Sequence, residues 1–254
     1  MKIENRVQES YQSDKEQETR IALFEHFKEC PIPGESLLPN IGLFINSKNL
    51  ARILMIDFLY KQIINTHGVI MEFGTRWGQN IALFSTLRGI YEPFNRHRKV
   101  IGFDTFSGFP LISKEDNADA HFAYVGGLTT TPKYDEYLEK IMYLQEQDAP
   151  LSHIKKYEIV KGDASKTLPE YLNNFPETLI SLAYFDFDMF QPTIDCLNTI
   201  WPKCMIGTVI AFDELCDDKS PGETIAFLKF FSDKGKIRLQ RSPFVSRISY
   251  FIVE

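Results

Sequence analysis

Short apolar runs alternate with longer stretches of helical periodicity along most of this chain. Ser47 is predicted to cap the N-terminus of a helix whose apolar face extends over residues 50 to 63. Five apolar runs then alternate with further helical stretches, which is typical of a largely parallel sheet. The predicted strands are residues 69–73, 100–103, 157–160, 179–185 and 207–212.

The C-terminal part of the chain departs from this alternation. Residues 236–240 and 247–253 form two strand-like runs, and the region around Ser242 and Pro243 between them is too short for a crossover helix. They are therefore expected to pair antiparallel. The pattern predicts an α/β fold: a Rossmann-like, doubly wound, mostly parallel sheet that ends in an antiparallel C-terminal hairpin.

The pattern also suggests where the main domain begins. Residues 1–20 are polar and predict a frayed or surface helix, and the proline-containing stretch up to residue 47 predicts loops that wrap a core. We expect residues 1–47 to form an N-terminal helical and loop extension and residues 48–254 to form one domain. The N-terminal helices are also a candidate contact surface for a homo-oligomer.

Composition narrows the class of protein. The chain has 254 residues, 44% of them hydrophobic, and a net charge of −6, which disfavours nucleic acid as a partner. Its most apolar helical stretch is interrupted by charged residues, so neither a signal peptide nor a membrane span is expected. The four cysteines lack C-x-x-C spacing, which is typical of reduced thiols in a cytoplasmic protein.

Each predicted parallel strand contains or closely precedes an acidic residue. Ligands of open α/β sheets bind beside the carboxyl ends of the strands, so these side chains are expected to surround one crevice. The five residues are Glu72, Asp104, Asp163, Asp186 and Asp213.

The turn after the first strand reads Glu72-x-Gly74-x-x-x-Gly78, and its glycines allow a ligand to approach the backbone. Alone, this pattern fits an ordinary tight turn equally well. Asp104 after the second strand strengthens the case for a ligand, because it is placed to accept both hydroxyls of a ribose, although it can also be an N-cap or a loop residue. Asp163 after the third strand can reach an adenine amino group. Together these acids indicate a nucleoside.

The same turn discriminates between nucleoside cofactors. A dinucleotide needs a G-x-G-x-x-G turn for its pyrophosphate, whereas this turn has fewer glycines and begins with a glutamate. S-adenosylmethionine has no phosphate and carries a cationic ammonium and sulfonium, which suit an acidic turn. The predicted cofactor-binding residues are Glu72, Gly74, Thr75, Gly78, Asp104, Thr105, Gly162, Asp163, Ala164 and Asp186.

A second acidic cluster follows the fourth and fifth strands. Asp186 and Asp188 alternate with phenylalanines, so both face one side of an extended chain, and Asp213-Glu214 follows the next strand. Carboxylates without histidine or cysteine partners select a hard cation, Mg²⁺ or else Mn²⁺ or Ca²⁺, which can polarise a substrate hydroxyl. In the alternative reading, Asp188 and Asp213 only cap the helices that follow them.

With these residues, the chain resembles the macrocin O-methyltransferase family, the metal-dependent sugar O-methyltransferases of macrolide and aminocoumarin pathways. The resemblance covers about residues 48 to 230. It is carried by the sequence letters VIMEFG at 69–74 with Gly78, GFDTFSGFP at 102–110, DFDMFQPT at 186–193, and Asp213-Glu214. The second of these is the most specific.

The resemblance implies that Asp186, Asp213 and Glu214 hold the metal and that Asp188 is the general base. It also implies a mobile lid over about residues 110–135, which contains Gly126-Gly127 and also His121, an alternative base. Departures from the family are Phe190-Gln191 in place of Tyr-Glu and Asp213-Glu214 in place of Asp-Asp.

The expected function is thus metal-assisted methyl transfer from S-adenosylmethionine to a hydroxyl of a small molecule, a sugar or a glycosylated metabolite. Two alternatives remain at this point. One is an NAD-type oxidoreductase on the same architecture, and the other is a non-catalytic binding protein that has kept the fold.

Overall fold

A seven-stranded sheet forms the centre of the computed structural model, which describes residues 13–117 and 120–254. The strand order is β3-β2-β1-β4-β5-β7-β6. The first five strands pair in parallel, and the last two are antiparallel. The strands are β1 (Val69–Phe73), β2 (Val100–Asp104), β3 (Tyr157–Lys161), β4 (Ile180–Phe185), β5 (Cys204–Phe212), β6 (Gln240–Arg241) and β7 (Ser249–Ile252).

Helices cover both faces of this sheet and precede it in the chain. In the described residues they are α1 (Asp14–Lys28), α2 (Gly34–Leu37), α3 (Ser47–Ile63), α4 (Gln79–Tyr91), α5 (Tyr134–Gln147), α6 (Ala164–Asn174), α7 (Phe190–Ile200) and α8 (Pro221–Phe230). Two 3₁₀ segments, Leu38–Phe44 and Trp201–Lys203, complete the regular structure.

The predicted fold class is confirmed, and two details of the prediction are wrong. The first strand of the C-terminal hairpin is only two residues long, so residues 236–239 lie outside any strand. The N-cap of α3 is Asn46 rather than Ser47, since the Asn46 side chain accepts a hydrogen bond from the N–H of Asn49 at 2.9 Å.

A row of phenylalanines fixes the carboxyl ends of four neighbouring strands. The rings of Phe103, Phe73, Phe185 and Phe212 stack in that order, with centroid separations of 5.3, 4.7 and 5.1 Å. All four rings are fully buried, and strand register places them side by side. Because each ring immediately precedes a residue of the predicted ligand site, this stacking holds the strand ends at one level.

The N-terminal segment lies against the domain without contributing to its core. Ser13 and Glu16 form a capping box at the start of α1, and none of the residues of α1 is buried. Phe27 makes an edge-to-face contact with Phe44 at 5.0 Å. The predicted N-terminal surface helix is therefore present from Asp14 onward, while its expected first twelve residues lie outside the described part. None of the helices in the described ranges has the length and apolarity needed to cross a membrane.

Buried charges tie α4, α5 and β3 together on the α4 face of the sheet. The carboxylate of Glu146 accepts two hydrogen bonds from Arg88, at 2.9 and 3.0 Å, and contacts the ammonium of Lys156 at 2.5 Å. All three side chains are at least 95% buried. Such a group is costly to disrupt, because removal of one member leaves unpaired charge in the interior.

We predict that Glu146→Gln lowers the free energy of unfolding by about 3–5 kcal/mol, because it leaves the buried Arg88 and Lys156 cations without their counter-ion. Urea unfolding followed by circular dichroism measures this change. Glu136→Gln, an exposed change on the same helix, is the control and should alter stability by less than about 0.5 kcal/mol. Equal effects of the two changes would show that Glu146 is not a stabilising counter-ion of Arg88 and Lys156.

Candidate functional site

A cavity of about 1020 Å³ opens at the carboxyl ends of the parallel strands. With the exception of the alternative base His121, every residue that the sequence predicted for cofactor, metal or proton transfer lines it. They are Glu72, Gly74, Thr75, Gly78, Asp104, Thr105, Gly162, Asp163, Ala164, Asp186, Asp188, Asp213 and Glu214. The topology of the sheet therefore brings residues from five separate segments of the chain into one site.

The turn after β1 is shaped for close approach of a ligand. Gly74 has φ +94°, and a Cβ at this position would overlap the backbone carbonyl of Asp186. Glu72 is 99% buried, and neither its Oε2 nor the neighbouring Thr75 Oγ1 makes a hydrogen bond of good geometry, although Thr75 lies close enough to lower the pKa of Glu72. Unpaired buried polar atoms are rare in proteins, so these two atoms mark a place where a polar ligand belongs.

The pKa of Glu72 is raised to about 8. Burial is the largest cause, and the nearby Asp186 carboxylate is the second. Arg52 opposes this rise only in part, so the pKa of Glu72 stays above its ordinary value. A ligand cation placed there favours the charged form and lowers this pKa.

Asp104 is held in place by backbone donors at the end of β2. Its two carboxylate oxygens accept hydrogen bonds from the N–H groups of Arg76, at 2.7 Å, and Phe106, at 2.6 Å. Burial nevertheless raises its pKa, and these two bonds oppose the rise. No helix begins beside Asp104 in the described residues, so the N-cap alternative does not hold. Each oxygen retains a lone pair for a ligand hydroxyl.

Asp163 combines a structural contact with its place in the cavity lining. It is the N-cap of α6 and accepts a hydrogen bond from the N–H of Ser165 at 3.1 Å. The N–H of Gly162 donates to the backbone oxygen of Asp104 at 2.8 Å, which fixes the β3 turn against the β2 turn. The capping role therefore orients Asp163 toward the same space as Asp104.

The ends of β4 and β5 form an acidic floor. Asp188 is buried with φ +62°, a conformation that is strained for a residue with a side chain and is found preferentially at functional sites. Burial is the largest cause that raises its pKa well above the usual range, followed by the adjacent Glu214, with which it shares a hydrogen bond. Burial and the Asp213 carboxylate raise the pKa of Asp186 to about 8.

The capping alternative for this cluster is wrong. The N-cap of α7 is Met189 and that of α8 is Ser220, so neither Asp188 nor Asp213 begins a helix. Both carboxylates are directed instead toward other charged groups of the cavity.

Two arginines that sequence reasoning missed stand among these carboxylates. Arg52 of α3 contacts Asp186 at 2.9 Å and Asp213 at 3.0 Å. Arg247, from the C-terminal hairpin region, contacts Glu214 at 2.6 Å. The available signal was a charged residue, Arg52, within the apolar face of the helix that precedes β1.

Glu223 is a further buried carboxyl that the sequence did not reveal. One of its oxygens accepts the N–H of Phe187 at 2.9 Å, and the other accepts the N–H of Glu214 at 3.4 Å. Burial raises its pKa well above the usual range. Glu223 joins the loops after β4 and β5 and so fixes the distance between the two acidic segments.

The segment predicted as a lid packs over the site. Phe122 and Ala123 are buried against Met189, and the N–H of Phe109 donates to the oxygen of Gly127 at 3.1 Å. Asp116 accepts the N–H of Phe190, the first residue of α7, at 2.8 Å. His121, the alternative base, is exposed and does not contribute to the cavity lining.

The predicted metal ligands form ion pairs with arginines. Among residues 13–117 and 120–254, no three side chains of the His, Cys, Asp or Glu type are already arranged to hold a metal ion. Asp186 and Asp213 share Arg52, and Glu214 is paired with Arg247. The carboxylate oxygens nevertheless have the donor chemistry of a hard-cation site.

Comparison with known proteins adds an independent observation. No protein-family model and no curated protein sequence matches the chain. Two solved structures of CalS11 match the chain. The first, a calicheamicin methyltransferase, is 36% identical with a TM-score of 0.92, and the match covers 96% of this chain and 94% of that one. The second, an apo structure described as a TDP-rhamnose 3'-O-methyltransferase of calicheamicin biosynthesis, is 34% identical with a TM-score of 0.83 and covers 96% of both chains. The O-methyltransferase NovP shares the fold at 18% identity, with a TM-score of 0.62 over 80% of this chain and 79% of that one.

If Glu72 receives the ligand's ammonium group, binding must release the proton that burial keeps on Glu72. We therefore predict that affinity for S-adenosylhomocysteine, which carries this ammonium, rises between pH 6 and pH 7.5, by at most tenfold per pH unit, and levels off near pH 8. Isothermal titration calorimetry in two buffers of different ionisation enthalpy measures both affinity and proton release. Glu72→Gln should bind more weakly and lose this pH dependence; an unchanged slope in the variant would exclude Glu72 as its origin.

Proposed function

Because this chain belongs to the family of S-adenosylmethionine-dependent O-methyltransferases that includes CalS11, we propose that it methylates a hydroxyl group of a sugar. The observation that carries the proposal is the cavity in which the nucleoside-type acids and the four carboxylates after β4 and β5 meet. The predicted O-methyltransferase activity is confirmed by the family. The oxidoreductase and non-catalytic alternatives are not retained, since CalS11 is a methyltransferase and is 36% identical over 96% of the chain.

The donor half of the cavity is assigned to the residues around β1, β2 and β3. In our proposal Glu72, together with Gly74, Thr75 and Gly78, receives the methionine end, and Asp104 with Thr105 receives the ribose. Gly162, Asp163 and Ala164 contact the adenine, and Asp186 lies beside the transferred methyl. The unpaired oxygens of Glu72 and Thr75 and the fixed carboxylate of Asp104 support this arrangement. Holding donor and acceptor in line supplies much of the catalysis of such a transfer.

Asp188 is the proposed general base on the acceptor hydroxyl. Its burial and the adjacent Glu214 carboxylate support this role, because both raise the pKa of Asp188 and so make its ionised form, which accepts the proton, a stronger base. Transfer forms the oxygen–methyl bond and breaks the sulfur–methyl bond. The hydroxyl proton passes to Asp188, and the sulfonium becomes the neutral thioether of S-adenosylhomocysteine.

Asp186, Asp213 and Glu214 are the proposed ligands of a divalent metal ion. The donor chemistry supports it: the three carboxyl groups line one cavity at the ends of β4 and β5, and burial together with the Asp213 and Glu214 carboxylates raises the pKa of Asp186 to about 8. A cation would relieve the repulsion among these carboxylates. Arg52 and Arg247 must release some of the carboxylate oxygens before a metal can bind there. When bound, Mg²⁺ or a similar ion supplies polarisation of the acceptor hydroxyl.

We predict that Asp188→Asn lowers kcat by about 10²–10⁴-fold while leaving affinity for S-adenosylhomocysteine within twofold, because only the proton acceptor is lost. Release of S-adenosylhomocysteine with TDP-rhamnose as the first trial acceptor is the assay. The melting temperature should not fall, since the change relieves repulsion with Glu214. Asp195→Asn, on α7 outside the cavity lining, is the control; wild-type kcat in Asp188→Asn would refute the assignment.

Excess chelator is predicted to abolish methyl transfer and added Mg²⁺ or Mn²⁺ to restore it, because the acceptor hydroxyl loses its polarising cation. Asp213→Asn should weaken Mn²⁺ binding at least tenfold in calorimetric titrations, with S-adenosylhomocysteine binding retained. Full activity in excess chelator, together with no measurable Mn²⁺ binding, would remove the metal from the mechanism and leave the methyltransferase assignment intact.

A further inference from the structure

The turn between β1 and α4 contains a cationic side chain that the proposed chemistry leaves unused. Arg76 follows Thr75 in this turn and lines the cavity. Its φ of +46° is costly for a residue with a side chain, and such conformations concentrate at functional sites. The hydrogen bond from its N–H to Asp104, at 2.7 Å, helps to hold this conformation. The backbone therefore fixes Arg76 beside the residues assigned to the donor.

Buried polar atoms without a hydrogen bond of good geometry are concentrated in the same turn. The described ranges contain five such side-chain atoms, and three of them are Glu72 Oε2, Thr75 Oγ1 and Arg76 Nε. All three residues line the cavity. The carboxylate of Glu72 needs a donor, whereas the Nε–H group of Arg76 needs an acceptor. A ligand that satisfies both therefore carries a donor and an acceptor close together.

Backbone groups of the turn offer little to an anion. The N–H groups of Gly74 and Thr75 donate to the oxygen of Phe103, at 2.9 and 3.3 Å, and that of Gly78 donates to the oxygen of Thr75 at 2.8 Å. The N–H of Arg76 is engaged as well. An anionic group bound at this turn therefore relies on side-chain donors.

The N-terminus of α4 adds positive potential at the same place. Its N-cap, Gly78, supplies no side-chain hydrogen bond, and its first turn contains no acidic residue. At the N-terminus of α6, by contrast, the carboxylate of Asp163 is the cap. The positive end of the α4 dipole therefore favours an anionic ligand. Arg76 precedes this helix in the turn and carries the side chain that can hold such a ligand.

Aromatic side chains position the guanidinium of Arg76. Its central carbon lies over the Trp77 ring, 5.7 Å from the ring centroid. Trp77 is held in turn by Tyr134, the first residue of α5. Their rings meet edge to face at 4.8 Å, and the Tyr134 hydroxyl donates to the backbone oxygen of Trp77 at 2.9 Å. An arginine placed over a ring keeps the N–H groups at its edge available, and their fork matches the two oxygens of a carboxylate.

We propose that Arg76 binds the carboxylate of the amino-acid end of the methyl donor, while Glu72 receives the ammonium group of the same end. The inference rests on the proposed function, whose donor is S-adenosylmethionine. Two contacts of opposite charge recognise the zwitterion and fix the direction of the amino-acid chain. The turn thereby selects a donor with an intact amino-acid end over one that has lost its carboxylate.

The test is calorimetric titration of the full-length protein with three ligands. S-adenosylhomocysteine carries both charged groups of the amino-acid end, its decarboxylated analogue keeps only the ammonium, and methylthioadenosine has neither. We expect Arg76→Gln to weaken S-adenosylhomocysteine about tenfold or more, because a charge-assisted contact is lost, and to leave the other two ligands within about twofold. Arg96→Gln, an exposed change outside the cavity lining, removes the same charge and is the matched control, with no effect expected.

The other ligands separate a direct contact from damage to the turn. Equal weakening of all three ligands by Arg76→Gln would show that Arg76 only shapes the turn and would overturn the inference. A wild-type protein that binds S-adenosylhomocysteine and its decarboxylated analogue equally well would also overturn it and leave the proposed function standing. Failure of the wild-type protein to bind S-adenosylhomocysteine would count against the proposed function, and the inference would fall with it.

Discussion

The ion pairs of Arg52 and Arg247 with the carboxylates that follow β4 and β5 are the interactions on which the rest of the site depends. A parallel sheet aligns its strand ends, and the phenylalanine row places them at one level, so acids that follow neighbouring strands are forced together. Their mutual repulsion would separate the loops that carry them. One arginine comes from the helix before the sheet and the other from the hairpin after it, so the two outer parts of the domain are tied together at this point.

This arrangement concentrates acidic groups in one part of the cavity. In the proposed function, the acidic floor and the turn after β1 favour a cationic donor, and the loss of the sulfonium charge on transfer weakens that attraction when the reaction is complete. A molecule with one charged end and one neutral end is aligned by such a field before any specific contact forms, which reduces the entropic cost of bringing the reacting atoms together.

The sequence predicted the parts of the structure that follow from local pattern. The bounds of β1 were predicted as found, and the acids after the strands were placed correctly because sheet topology determines where strand ends lie. Side-chain pairing was not predictable in the same way. Arg52 was read as an interruption of an apolar helix, since periodicity does not reveal that its partner Asp186 lies 134 residues further along the chain.

Other errors have similar causes. The helix cap was assigned to Ser47 because asparagine and serine are comparable caps, and only the backbone geometry at Asn46 separates them. The metal site is not one of these errors and stays a prediction, because residue types do not specify whether carboxylates turn toward a common ion or toward arginines.

The location of α1 has a consequence for how the protein can diversify. Residues of α1 contribute nothing to the buried core, so substitutions on its cavity face cost little folding stability. The acidic floor is the opposite case, since each of its carboxylates is balanced against several neighbours. Sequence change can therefore accumulate in α1, part of which lines the cavity, while the acidic floor is preserved. Homologous proteins should accordingly vary more along this helix than at the acidic floor.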